Sequence, residues 1–221
     1  MNFSELKYLE TLTGARWTGM RFFDRGCAAP RRCSTLCEAI AQSFKESFSL
    51  QACEMECPGA LRCLGFEGND EKMVAHISTE AGAAPQSIRA IIAAAPRMEK
   101  AVRTVGLGPM ADPELCVGYV SPEAAMKLLR NWQIQHGSGL FADLSSFMAV
   151  CSAVVAAIKN DTLVFSLGCP ESRKKGGIAP DRLVAILPRR LVHTLMEGIP
   201  VCRHMNMNAK PAVSGLNDFS I

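Results

Sequence analysis

The chain has 221 residues, of which 48% are hydrophobic and 20% charged, and its formal net charge is +3. That is enough apolar material for one domain with its own core and excludes a disordered chain, while the charge is too small for a nucleic-acid footprint. No apolar run reaches the roughly 18–20 residues that span a bilayer.

The N-terminus, Met1-Asn2-Phe3-Ser4-Glu5, lacks the basic and apolar segments of a secretory signal, so the expected compartment is the cytoplasm, where thiols stay reduced. Ser4 to Leu12 reads as a short amphipathic helix carrying Leu6, Leu9 and Leu12, and Trp17 to Phe23 as a strand. Gly26 to Arg32 is a loop. Cys33 to Phe44 has helical spacing and would place Cys33 and Cys37 on one face. Phe48 to Cys53 reads as a strand. Pro58 after Cys57 opens a short helix towards Leu64, where free N–H groups would lower the Cys57 thiol pKa.

Two helices follow, over Asp70 to Thr79 and Pro85 to Ala95. Leu115 to Val120 is a strand. Ser121 then caps a helix that has Pro122 first and runs to Gln135. Ser145 or Ser146 would cap the next helix, reaching about Ile158. A turn at Asn160-Asp161 leads into a strand over Thr162 to Leu167, which delivers Gly168-Cys169-Pro170. Leu183 to Leu187 is the last strand, and Pro188 opens a helix to Glu197 with Gly198 at its end. The elements predict a single mixed α+β domain over residues 1–206 with cysteines at element ends, and a polar, flexible tail over 207–221.

Ten cysteines dominate the chemistry. Six fall between Cys27 and Cys63 (Cys27, Cys33, Cys37, Cys53, Cys57 and Cys63), and Cys116, Cys151, Cys169 and Cys202 follow singly. A chain that can build its own core needs no disulfide framework, so metal or redox chemistry ranks higher. Neither cluster has the Cys-x2-Cys spacing of a zinc knuckle. No Walker A, Gly-x-Gly-x-x-Gly or Gly-x-Ser-x-Gly motif is present.

Cys57-Pro58-Gly59-Ala60 reads as a ligand at a helix start, with Gly59 letting a cofactor approach, or as a buried cysteine before a turn. Gly168-Cys169-Pro170 ends in the Cys-Pro pair that closes many cluster-binding runs. Arg173 and Lys174, with Lys175, would hold an anionic ligand there, or form a solvated basic loop. Alone among alanines and valines, Cys151 reads as core.

These segments, with the Pro122-Glu123-Ala124-Ala125-Met126 helix start and Glu171-Ser172-Arg173, resemble the uncharacterised ArCR family, a domain of unknown function known from archaea and anaerobic bacteria. The resemblance runs from about Arg32 to Ile199 and implies recurrent cysteines at Cys37, Cys57, Cys151 and Cys169. It thereby makes Cys151 a candidate ligand and leaves Cys27, Cys33, Cys53 and Cys63 as additions of this member. The expectation is one [4Fe–4S] cluster on those four thiolates, with Cys53 and Cys63 as further candidate ligands. Zinc is the alternative metal, and a metal-free thiol-redox or small-ligand-binding domain is the third reading. The expected partners are a redox protein, a small anionic ligand, or a second copy of the chain in a homodimer, with neither nucleic acid nor membrane.

Overall fold

Alternation along the strands decides the architecture. In the computed structural model, which describes residues 4–26, 30–68, 70–110, 112–140 and 145–197, six strands form one sheet. They are β1 (Trp17–Phe23), β2 (Phe48–Gln51), β3 (Thr104–Gly108), β4 (Leu115–Val120), β5 (Val164–Ser166) and β6 (Leu183–Pro188). The spatial order is β2-β3-β1-β4-β6-β5, and every neighbouring pair is antiparallel. In β6, Val184 and Ile186 enter one core while Leu183, Ala185 and Leu187 enter the other. Likewise, β4 sends Leu115 and Val117 to the first core and Cys116 and Val120 to the second. A sheet that buries both faces must be covered on both.

Helices provide that cover, and nine are present among the described residues. On one face lie α1 (Ser4–Thr13), α6 (Pro122–His136) and α9 (Arg189–Glu197), packed around Leu9, Trp17, Leu128 and Val192. The other face carries α2 (Leu36–Ser43), α3 (Pro58–Cys63), α4 (Asp70–Ala81), α5 (Pro85–Ala94), α7 (Ala149–Asn160) and α8 (Pro170–Lys175). Its core holds Met20, Leu36, Ile40, Leu107 and Val154. The expected α+β class is the observed one.

Several local expectations need correction. α2 starts at Leu36, because the Thr35 hydroxyl accepts the Glu38 N–H (3.0 Å) while the Glu38 carboxylate accepts the Ser34 N–H (2.9 Å). Cys33 therefore lies ahead of the helix and shares no helical face with Cys37. α7 starts at Ala149 behind Met148, whose φ is 53°, and Ser145 bonds Phe147 rather than capping a helix. Pro188 closes β6, and α9 begins at Arg189. β3 is buried at all five residues, yet its sequence, Thr104-Val105-Gly106-Leu107-Gly108, predicts no strand. Gly108 has φ +124°, and a Cβ there would sit 2.7 Å from the Ser47 Cβ, so β2 and its approach leave room only for glycine. Gly198, the 206/207 domain boundary and its tail, Cys27 and Cys202 lie outside the described residues.

Candidate thiol-lined functional site

On the six-helix face, four helices begin close together, and each start carries a cysteine. Cys37 is the second residue of α2 and Cys151 the third of α7, whereas Cys57 and Cys169 are the N-cap residues of α3 and α8. The local reasons differ. Thr35 fixes the start of α2, and the rings of Pro58 and Pro170 set the first helical φ in α3 and α8. Met148, in the left-handed region, turns the chain into α7.

Two glycines bring these ends together. A Cβ on Gly59 would lie 2.7 Å from the Met148 Cγ, so α3 can seat against the start of α7 only without a side chain there. Gly59 thus meets protein, where the sequence suggested a cofactor. Gly176 stands just past α8, and a Cβ there would lie 3.2 Å from both the Cβ and the carbonyl oxygen of Cys37. A third tie joins the loop before α2 to Cys57: the Ser34 carbonyl accepts the N–H groups of Glu56 (3.0 Å) and Cys57 (3.1 Å).

The thiols feel one another. Cys151 is raised well above the ordinary thiol range by its hydrogen bond with Cys37, then by burial, then by the charges that Cys37 and Cys169 would carry. Cys57 is pushed up to about 12, first by burial and next by Cys151, although the Ala60 and Gly59 N–H groups at the helix start work the other way. This reverses the lowered pKa expected from the helix start, because desolvation outweighs two N–H donors. Cys63, at the far end of α3, joins the group: burial and Cys151 raise it to about 12, and its sulfur lies 3.8 Å from the Ser152 hydroxyl. Burial raises the phenol of Tyr119 in β4, and the neighbouring Cys37 adds to the shift.

The structure therefore brings Cys37, Cys57, Cys63, Cys151 and Cys169 into one neighbourhood, with Cys37, Cys63 and Cys151 buried and Cys57 and Cys169 half-buried at its edge. It does not bring in Cys53, which is exposed on the single 3-10 turn Ala52–Glu54. Cys33 is buried but faces Gln42 (3.8 Å), and Cys116 lies in the core across the sheet. All eight described cysteines are free thiols, and among the described residues no three Cys, His, Asp or Glu side chains are set to grip a single metal ion.

The basic segment does something the sequence did not suggest. Arg173 donates to the carbonyls of Leu167 (2.6 Å), Ala179 (2.9 Å) and Arg182 (3.5 Å), bracing α8 between β5 and the approach to β6. Its guanidinium is engaged by the chain itself. Lys174 is exposed, and Lys175 reaches the Ser34 hydroxyl (3.4 Å) and Glu171 (3.7 Å). Sequence reasoning missed Tyr119, Ser152 and Gly176. Their roles depend on what lies across the fold, so no local spacing marks them.

A family model described as "Uncharacterised ArCR, COG2043" (DUF169) matches residues 16–198, beginning earlier than the resemblance noted above and taking in β1. "Uncharacterized protein MJ0308" of Methanocaldococcus jannaschii is 25% identical over 119 residues, covering 52% of this chain and 51% of that protein. The chain thus spans about half the length of this curated relative. No solved structure matches. No described helix is long and apolar enough to cross a membrane. With the model match covering β1 to α9, the chain belongs to the ArCR family.

Proposed function

We propose that the protein binds one [4Fe–4S] cluster through Cys37, Cys57, Cys151 and Cys169, in a reducing cytoplasm, for electron transfer or for anaerobic cluster catalysis. The observation that carries this is the meeting of four cysteine-bearing helix starts, from four separate elements, on one face of the sheet. The donor set is soft and all-sulfur, which suits iron–sulfur, zinc or copper(I). Helix starts add unpaired N–H groups that offset an anionic centre, and those of Ala60 and Gly59 favour the charged form of Cys57. Bound there, such a cluster supplies one-electron chemistry. The chain's own part is to exclude water with Leu36, Val150 and Tyr119, and to leave Cys57 and Cys169 at the edge where a redox partner would dock.

The same all-sulfur donor set suits a single zinc ion, and iron and sulfide analysis separates the two. One observation supports a second reading: the contact between Cys37 and Cys151 would suit a redox-active dithiol.

Anaerobic purification tests both. The cluster reading expects a brown protein absorbing near 400 nm with about four iron and four sulfide per chain. Cys57→Ser and Cys169→Ser should lose iron, while Cys116→Ser, across the sheet, keeps it. Zinc without sulfide would refute the cluster, and a Cys37–Cys151 disulfide in metal-free protein would favour the dithiol.

A further inference from the structure

We propose that the cleft between α5 and α7 binds a small amphiphile with an aliphatic tail and a single anionic head, such as a medium-chain carboxylate. The cleft has a volume of ≈ 670 Å³, within the range of small-molecule sites. α7 makes it: Ala153 and Ala156 leave the floor low, where longer side chains would fill the space against Ile91 of α5 and Phe165 of β5. Ile91 is 36% exposed, one of few large exposed apolar side chains among the described residues, and it lines this wall.

Charge sets the class of the head group. Lys159 is the one cation among the described lining residues, and no carboxylate lies among them. Its ammonium donates to the Arg97 carbonyl at 3.4 Å, leaving two of its three N–H donors for a ligand. Lys159 thus matches an anionic head and opposes a cationic one, while the tail gains by leaving water. The inner wall is polar at Ser152, buried and in contact with Cys63, so a bound molecule lies one side chain from the thiol group. The inference does not rest on the iron–sulfur reading, because the cleft walls contain none of the proposed ligands.

Isothermal titration of the full-length protein as purified, whatever its metal content, with decanoate and with decyltrimethylammonium compares one tail with two opposite heads. The expected result is one saturable decanoate site per chain and binding of the cation at least about tenfold weaker. Lys159→Gln should remove most of that discrimination. Ala156→Phe, which fills the floor, and Ile91→Asp, which adds a carboxylate to an exposed wall, should each weaken decanoate at least about tenfold. If Ala156→Phe fails to fold, Ile91→Asp carries the same test without overfilling the cleft. No decanoate binding, equal binding of the two heads, or a folded Ile91→Asp variant that binds like wild type would each overturn the proposal.

Discussion

Gly176→Ala probes how the thiol site is assembled. Gly176 has ordinary right-handed backbone (φ −84°, ψ −5°), so alanine meets no conformational strain there. Taken alone, Gly→Ala at such a position stabilises by about 0.4–1 kcal/mol through the unfolded chain. Sterics oppose it. The new methyl would collide with the Ser172 carbonyl oxygen of its own helix and stand 3.2 Å from the Cys37 Cβ and carbonyl oxygen, all backbone or near-backbone atoms with little freedom to yield. Overpacking of this kind costs about 1–3 kcal/mol, so the net expectation is a loss of up to about 2.5 kcal/mol. At about 2–4 °C per kcal/mol for a chain of this size, the melting temperature should fall by several degrees. Iron content should fall with it, because the change pushes α8, and hence Cys169, off α2. Gly139→Ala is the control: its nearest neighbour to a new Cβ is the Gln133 side chain at 4.0 Å, and it should be neutral or slightly stabilising. Thermal melts by circular dichroism and iron analysis decide. A rise in melting temperature for Gly176→Ala, matching Gly139→Ala, would refute the close-approach argument.

Other outcomes follow from the same contacts. Ser121→Ala removes the hydroxyl that accepts the Ala124 N–H at 3.2 Å and should cost about 1 kcal/mol in a denaturant titration. Arg173→Gln strips the brace from the carbonyls of Leu167 and Ala179, so stability should drop by about 1–2 kcal/mol and Cys169 should alkylate faster. Burial pushes the Cys116 thiol from 9.0 up to about 12. Below its unfolded value both states keep that proton and its contribution is complete; as pH rises towards 12 only the unfolded state releases it, so stability falls. Cys116→Ala should flatten the decline of melting temperature above pH ~9 relative to wild type, and parallel curves would contradict this assignment.

Long, periodic or capped segments were legible in the sequence. Ser121-Pro122 marked α6, and the unbroken apolar run of Leu183 to Leu187 marked β6, because both signals are local. β3 escaped because its two glycines answer to contacts from other strands and from Ser47, which no window around residue 106 contains. The short α8 escaped for a related reason: a Pro-started run ending in three basic residues looks like a solvated loop until Arg173 is seen to bond three carbonyls. At the site, Cys57 and Cys169 were marked by the proline after each, whereas Cys151 had no local mark. Burial, the quantity that sets the Cys57 thiol pKa, is tertiary as well, so the helix-start argument gave the wrong sign.

The distribution of the two cores leads to one more expectation. The four proposed ligands all belong to elements of one face, and α1, α6 and α9 on the other face contribute none. Any centre held by α2, α3, α7 and α8 ties together ends that otherwise meet through close contacts at Gly59 and Gly176. Binding free energy for such a centre is then folding free energy for that face alone. Removing the proposed centre with a chelator under anaerobic conditions should therefore lower amide protection in α2, α3 and α8 while leaving β4, β6 and α6 protected, since their core around Leu128, Leu187 and Val192 is intact. Hydrogen exchange read by mass spectrometry separates the cases. Equal loss of protection on both faces would show that the centre does not belong to this one, and the assignment of Cys37, Cys57, Cys151 and Cys169 as its ligands would fall with it.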